Sequence, residues 1–204
     1  MNKSEIFFDR VSSKSKPEPN QTASKIIESS KEFLEKDNYL LDFGCGSGAI
    51  TNKLAKLTKA IDAIDISSGM LEFAKKQAEV NSIGNINYMQ TTIFDERFKE
   101  NTFDVILAFN VLHYISDLPS HMERINALLK PNGIFISSTA CMNEKRSLIR
   151  YLMLLLTKIG IVPKMKFYKK VELENLIKNG KFEMIKSERI SKLPEYFIVT
   201  RKRK

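Results

Sequence analysis

Residues 40–48 read Leu-Leu-Asp-Phe-Gly-Cys-Gly-Ser-Gly, an apolar run that ends in an acid and three glycines spaced two apart, with a helical pattern following at once. Glycines at Gly44, Gly46 and Gly48 let the backbone turn tightly and come close to a ligand, because no Cβ blocks positive φ or fills the gap. A strand, a glycine turn and a helix N-terminus in that order build a nucleotide-type pocket. This segment therefore commits the chain to an α/β fold with a small ligand at a strand end.

The rest of the chain fits that commitment. Strand-like runs at Tyr39–Phe43, Ala60–Asp65, Ile86–Gln90, Phe103–Phe109 and Gly133–Thr139 alternate with helical patterns near Ala49–Leu57, Gly69–Asn81 and Leu118–Leu129. Alternation of this kind implies right-handed crossovers and a parallel sheet whose strand ends share one edge. After a strongly apolar, basic-flanked stretch at Ser147–Ile161 come a helix at Val171–Lys178, a turn at Asn179-Gly180, and two runs, Phe182–Ile190 and Tyr196–Arg201, joined through a loop with Pro194. Those two runs read as an antiparallel hairpin. The fold class is α/β: a doubly wound, mainly parallel seven-stranded sheet with helices on both faces and an antiparallel C-terminal hairpin strand. At the other end, Phe8–Gln21 is polar with Pro17 and Pro19 and reads as irregular, before an amphipathic helix from about Thr22 to Lys36.

A chain of 204 residues, 43% of them hydrophobic, supports one well-buried core. The expected organisation is a single domain: an N-terminal segment and helix over 1–37, a ligand-binding core over 38–140, a basic apolar insert over 141–170, and a C-terminal helix and hairpin over 171–204. The net charge of +9 is uneven, since residues 1–140 carry 16 basic against 18 acidic side chains and residues 141–204 carry 17 against 6. Such a basic third attracts anionic partners or is simply a solvated face. The N-terminus lacks the apolar core of a secretory signal, and Cys45 and Cys141 form neither a disulfide framework nor a metal-ligand cluster, so a reduced, cytoplasmic setting and no metal are expected.

Residues 44–49 also satisfy the dinucleotide pattern G-x-G-x-x-A, and Asp65, 21 residues after Gly44, stands where a carboxylate accepts from two ribose hydroxyls. Asp42 separates the alternatives. A carboxylate inside the first strand needs partners to offset its desolvation, which an ammonium-bearing ligand supplies and which a pyrophosphate would oppose. The pocket suits a cationic amino-acid nucleoside better than NAD.

Five motifs in register carry a family resemblance: Leu40–Gly48; Ile64-Asp65-Ile66-Ser67-Ser68-Gly69-Met70-Leu71; Phe103-Asp104-Val105-Ile106; Asn110-Val111-Leu112-His113-Tyr114; and Leu128-Leu129-Lys130-Pro131-Asn132-Gly133 before a strand. The chain resembles the class I S-adenosylmethionine-dependent methyltransferases over roughly Asn38–Ala140, and more loosely to the C-terminus. The resemblance implies S-adenosyl-L-methionine as methyl donor and S-adenosyl-L-homocysteine as product. It implies that Gly44 and Gly46 pack under the methionine moiety, that Asp42 helps bind its amino group, and that Asp65 takes the ribose diol. Ile66, with Met70 beside it, would pack on adenine, although both also suit plain core. Where the family often has an acid after the third strand, this chain has Thr92. The Thr92 hydroxyl or the Ile93 backbone would then bond adenine with less charge assistance. Asn110 and His113 fall where family members bind the methionine backbone and the acceptor, with Tyr114 as a substrate neighbour. His113 is the candidate general base, or else packs its loop. His121 reads as a surface residue, and neither cysteine has the context of a nucleophile.

The expected reaction is methyl transfer by in-line displacement to a small, lipophilic acceptor, with positioning and water exclusion dominant. No Asn/Asp-Pro-Pro-Tyr/Phe motif follows the fourth strand, and the basic runs carry no interleaved stacking aromatics, which argues against nucleic acid. The insert is read first as a lid over a hydrophobic acceptor. The second reading is a peripheral membrane contact through residues 145–170 with Lys145, Arg146, Arg150 and Lys158 at the headgroups, and the third is a buried or dimer-interface helix. Monomer and homodimer both remain open, as does a protein that holds the donor without turnover.

Overall fold

The computed structural model describes residues 3–144 and 147–203. Its strands are β1 (Tyr39–Phe43), β2 (Ala60–Asp65), β3 (Ile86–Gln90), β4 (Phe103–Phe109), β5 (Leu129–Ala140), β6 (Phe182–Arg189) and β7 (Glu195–Lys202). Its helices are α1 (Lys3–Ser12), α2 (Gln21–Lys31), α3 (Thr51–Leu54), α4 (Ser68–Val80), α5 (Leu118–Leu128), α6 (Leu148–Lys158) and α7 (Lys170–Asn179). The strands form one seven-stranded sheet in the order β3-β2-β1-β4-β5-β7-β6. β1 pairs in parallel with β2 and β4, and β7 lies antiparallel between β5 and β6. The seven strands and the antiparallel C-terminal pair are those implied by the sequence, with β5 extending four residues earlier than its apolar pattern, back to Leu129.

Strand periodicity sorts the core into two layers, because successive side chains leave opposite faces of the pleat. Leu40, Val105, Leu107 and Phe109 face one cluster with Ile26 of α2, Leu54 of α3, and Leu71 and Ala74 of α4. Leu41, Phe43, Ile106 and Ala108 face the other, with Leu118, Met122 and Ile125 of α5 and Leu173 and Ile177 of α7. Both faces are covered, which is why the central strands read as nearly continuous apolar runs. Strand order reverses between β1 and β4, and ligands of open α/β sheets bind outside the carboxyl ends of the strands at such a switch point.

Two segments depart from the sequence reading. The second helix ends at Lys31 rather than Lys36. The stretch expected to be irregular from Phe8 begins inside α1, a helix with no buried residue. So short a helix does not hold itself together in water; contacts with α4 and the β4 loop stabilise it, and local sequence rules do not register those contacts.

Candidate active site

The glycine turn closes the end of β1 and is shaped by close packing. Gly44 has φ +77, and a Cβ there would lie 2.6 Å from Val111 Cγ2. Only glycine lets the β4 loop approach the turn this closely. Just before it, Asp42 is almost fully buried and accepts the Thr51 hydroxyl at 2.6 Å. Burial pushes its carboxyl up to about 7; the Thr51 bond opposes this and the nearby Asp65 charge adds to it.

Asp65 ends β2 with its carboxylate across the turn. One oxygen accepts the Gly46 N–H at 2.9 Å and the other the Ser67 N–H at 2.9 Å. Burial raises its pKa, the Ser67, Gly46 and Ile66 backbone bonds pull it back, and Asp9 raises it further. Two carboxylates at the ends of neighbouring parallel strands make this corner a cation-seeking one, with further acceptor capacity on each.

A cavity of about 520 Å³ opens over this corner, within the roughly 300–1,000 Å³ usual for small-ligand sites. Of the residues singled out from sequence, Asp42, Gly44, Gly46, Asp65, Ile66, Met70, Thr92, Asn110 and Tyr114 line it. Asn110 does so from a left-handed backbone, φ +54.

The structure does not bring Ile93 or His113 to the cavity wall. Ile93 is wholly buried in the core beneath the loop, and its carbonyl accepts from the Arg124 guanidinium at 3.2 Å. His113 sits in a 3₁₀ turn, Leu112–Tyr114, packed against the Tyr114 ring at 4.2 Å. Its Nδ1 has no hydrogen-bond partner among the described residues, and burial lowers its pKa to about 4. The three-residue turn buries the imidazole and leaves the next ring, Tyr114, at the cavity. Asp95, three residues beyond Thr92, is engaged by Thr91 and Arg97, and the Arg97 bonds hold its carboxyl well below the usual range.

Several cavity residues escaped the sequence reading. His121 is not a bare surface residue: it lines the cavity, stacks on Phe43 at 5.9 Å and meets the Phe94 edge at 4.7 Å. Its Nδ1 lies 2.7 Å from the Asp117 carbonyl, one turn back, which puts the proton on Nδ1 and leaves Nε2 an acceptor in the neutral ring. The only local signal was that i, i+4 spacing. Phe8 and Ser4 of α1 also line the cavity. Phe8 packs edge-to-face on Tyr114 at 5.3 Å, while Asp9 accepts from the Ser67 hydroxyl at 2.6 Å and the Gly69 N–H at 3.0 Å. The Asp9 carboxylate thus sits on the N-terminus of α4, where the helix dipole favours negative charge. Helix α1 is thereby tied down as one wall of the site.

Among the described residues, the insert contributes nothing to the cavity wall. No residue of 147–170 lines the cavity, and α6 has no buried residue, with Leu148 88%, Leu152 54% and Leu155 55% exposed. The buried-helix reading needs a covered apolar face, and this one is uncovered. Lys145 and Arg146 lie outside the described residues. No described helix is long and apolar enough to cross a membrane, and no group of three or more metal-ligating side chains occurs among the described residues.

The doubly wound sheet with β7 reversed beside β5, and a glycine turn between two carboxylates at its switch point, define a class I S-adenosylmethionine-dependent methyltransferase fold. The family model described as "Methyltransferase domain" matches residues 34–191, and the chain belongs to that family. It is 37% identical over 107 residues to a ubiquinone biosynthesis O-methyltransferase of Actinobacillus pleuropneumoniae, a match that covers 49% of this chain and 44% of that protein. The chain thus spans less than half the length of the curated relatives it matches. A geranyl diphosphate methyltransferase solved with its substrate and sinefungin superposes with a TM-score of 0.74 at 12% identity, over 88% of this chain and 77% of that one. The [4+2]-cyclase SpnF superposes with a TM-score of 0.73 at 15% identity, over 87% and 80%. These two likenesses show the fold, which by itself does not fix a reaction.

Proposed function

We propose that this protein binds S-adenosyl-L-methionine in the cavity over the glycine turn and transfers its methyl group to a small, lipophilic acceptor. The observation that carries the reading is the placement of Asp42 and Asp65 on either side of a glycine turn that leaves no room for a side chain at Gly44. Asp65 suits a ribose diol, and Asp42 an amino group reached directly or through water. Ile66 and Met70 offer an apolar seat for a base, and the Thr92 hydroxyl a weak polar contact at its edge. The bound donor supplies an already activated methyl on a sulfonium. What remains for the protein is to hold the two reactants in line and exclude water. Phe8, Phe109 and Tyr114 give the cavity aromatic walls suited to that task. With His113 buried and off the wall, the reaction proceeds without it as base.

The acceptor class is read from two supports. The curated relative acts in ubiquinone biosynthesis, and the solved neighbour holds geranyl diphosphate, so lipophilic acceptors occur in related folds. The exposed apolar face of α6, flanked by Arg150, Lys158 and Lys164, suits an anionic membrane surface better than a lid. The loop after it reaches the cavity rim, where the Lys166 N–H and Nζ donate to the carbonyls of His113 and Ser116. A membrane under α6 would therefore lie near the mouth through which a lipophilic acceptor enters.

Calorimetric titration tests the donor: S-adenosyl-L-homocysteine is expected to bind and NAD not to, and binding of NAD alone would overturn the reading. Co-sedimentation with phosphatidylglycerol vesicles tests the surface. Wild type is expected to pellet and Leu152→Glu/Leu155→Glu to stay soluble; wild type that ignores anionic vesicles eliminates it. Incubating a lipid extract with methyl-labelled donor shows which species gains the label, and no labelled species in lipid or aqueous extracts would favour a protein that holds the donor without turnover.

A further inference from the structure

Asn110 is tied down from behind the cavity wall. Its backbone, at φ +54, donates its N–H to the Ser138 carbonyl at 2.7 Å. Its side-chain Nδ2 donates to Glu195 Oε1 at 3.0 Å, and the Ser138 hydroxyl donates to the same oxygen at 2.7 Å. Glu195 opens β7, 85 residues further along the chain, and is only 8% exposed. A buried carboxylate costs desolvation, and no cation is paired with it by an ion pair among the described residues. Nothing in the strand pairing of β7 requires an acid at that position.

We infer that Glu195 is a positioning residue for the donor subsite, acting through Asn110. An amide has a donor end and an acceptor end, and only the donor end can face a carboxylate. Glu195 therefore holds the Asn110 amide nitrogen away from the ligand and leaves Oδ1 as the end free to serve the cavity. Its charge also polarises the amide and strengthens Oδ1 as an acceptor. Asn110 and Asp42 line the same cavity, so this acceptor serves the same pocket as Asp42. Together they select a ligand group that donates hydrogen bonds and carries positive charge, the amino group of an amino-acid nucleoside. A ligand lacking that group has nothing to gain from Glu195.

The inference rests on the donor reading above, and the experiment separates the two. Binding of S-adenosyl-L-homocysteine and of 5′-methylthioadenosine, which lacks the amino-acid part, is measured for wild type, Glu195→Leu and Glu195→Gln. Glu195→Leu is expected to weaken S-adenosyl-L-homocysteine about tenfold, the scale of one hydrogen bond to a charged group, and methylthioadenosine less than about twofold. Glu195→Gln, whose Oε1 accepts the same two bonds, is expected to stay within about threefold for both. In an Asn110→Ala background the Glu195→Leu loss should vanish, since a positioning residue has nothing left to position. Glu195→Val replaces the leucine variant if that does not fold, being suited to a strand. Equal weakening of both ligands, or a loss that persists without Asn110, overturns the inference and leaves Glu195 a merely structural residue. Failure of wild type to bind S-adenosyl-L-homocysteine overturns the donor reading instead.

Discussion

If Asp42 receives the donor's amino group, it does so as a carboxylate, yet the ligand-free protein holds it half protonated at neutrality, because burial moves its pKa up to about 7. Binding must then expel the proton, and affinity must rise with pH. With a pKa of about 7, the ionised fraction is about one half at pH 7 and about 1% at pH 5, so affinity for S-adenosyl-L-homocysteine falls about fiftyfold over those two units. That loss corresponds to about 2.3 kcal/mol. At pH 7, calorimetry in two buffers of different ionisation enthalpy should report about half a proton released per ligand bound. Asp42→Asn should bind weakly at all pH values and lose most of the slope, leaving what the partly raised Asp65 contributes. Folding stability runs the opposite way. The folded-state pKa lies above the unfolded one, so between the ordinary carboxylate range and about 7 the folded chain holds a proton that the unfolded chain has released. Stability of the ligand-free protein therefore falls as pH rises through that window, by up to about 4 kcal/mol. Affinity that is flat from pH 5 to 7, or a wild-type slope in Asp42→Asn, would mean that Asp42 does not receive the amino group as a carboxylate.

Thr51→Val removes a bond that lowers the Asp42 pKa; the midpoint of the same binding profile should move up by about one pH unit, the worth of a hydrogen bond to a charged group. Gly44→Ala would place a methyl 2.6 Å from Val111 Cγ2 at φ +77, and urea unfolding should show about 2–4 kcal/mol of destabilisation from overpacking and backbone strain together. Asp9→Ala cuts α1 from α4. Hydrogen exchange over residues 3–12 should become at least about tenfold faster and S-adenosyl-L-homocysteine should dissociate faster, while global stability changes by less than about 1 kcal/mol; unchanged exchange would show that α1 is held some other way.

The sequence carried the sheet, the glycine turn and most of the residues proposed for the donor subsite. Strand periodicity and turn chemistry are local rules, and Asp42, Gly44, Gly46 and Asp65 act within a few residues of the turns that place them. The fold's switch point then brings two successive strand ends together in the only way a right-handed crossover allows. What the sequence could not show depends on which distant segments meet. Phe8 and His121 reach the cavity because α1 and α5 happen to flank its mouth. His113 and Tyr114 are sequence neighbours, yet a single 3₁₀ turn buries one and presents the other. Glu195 falls in the loop before the expected strand Tyr196–Arg201, and its role shows only when β7 is slotted between β5 and β6 beside Asn110. The apolar stretch at Ser147–Ile161 had three readings in sequence, since composition says a face must be covered but not by what; the tertiary structure leaves the apolar face of its helix turned to solvent. Local chemistry thus determined where the cavity over the glycine turn forms. Tertiary contacts between residues far apart in the chain, 85 positions for Asn110 and Glu195, decided which side chains surround that cavity and left the apolar face of α6 exposed.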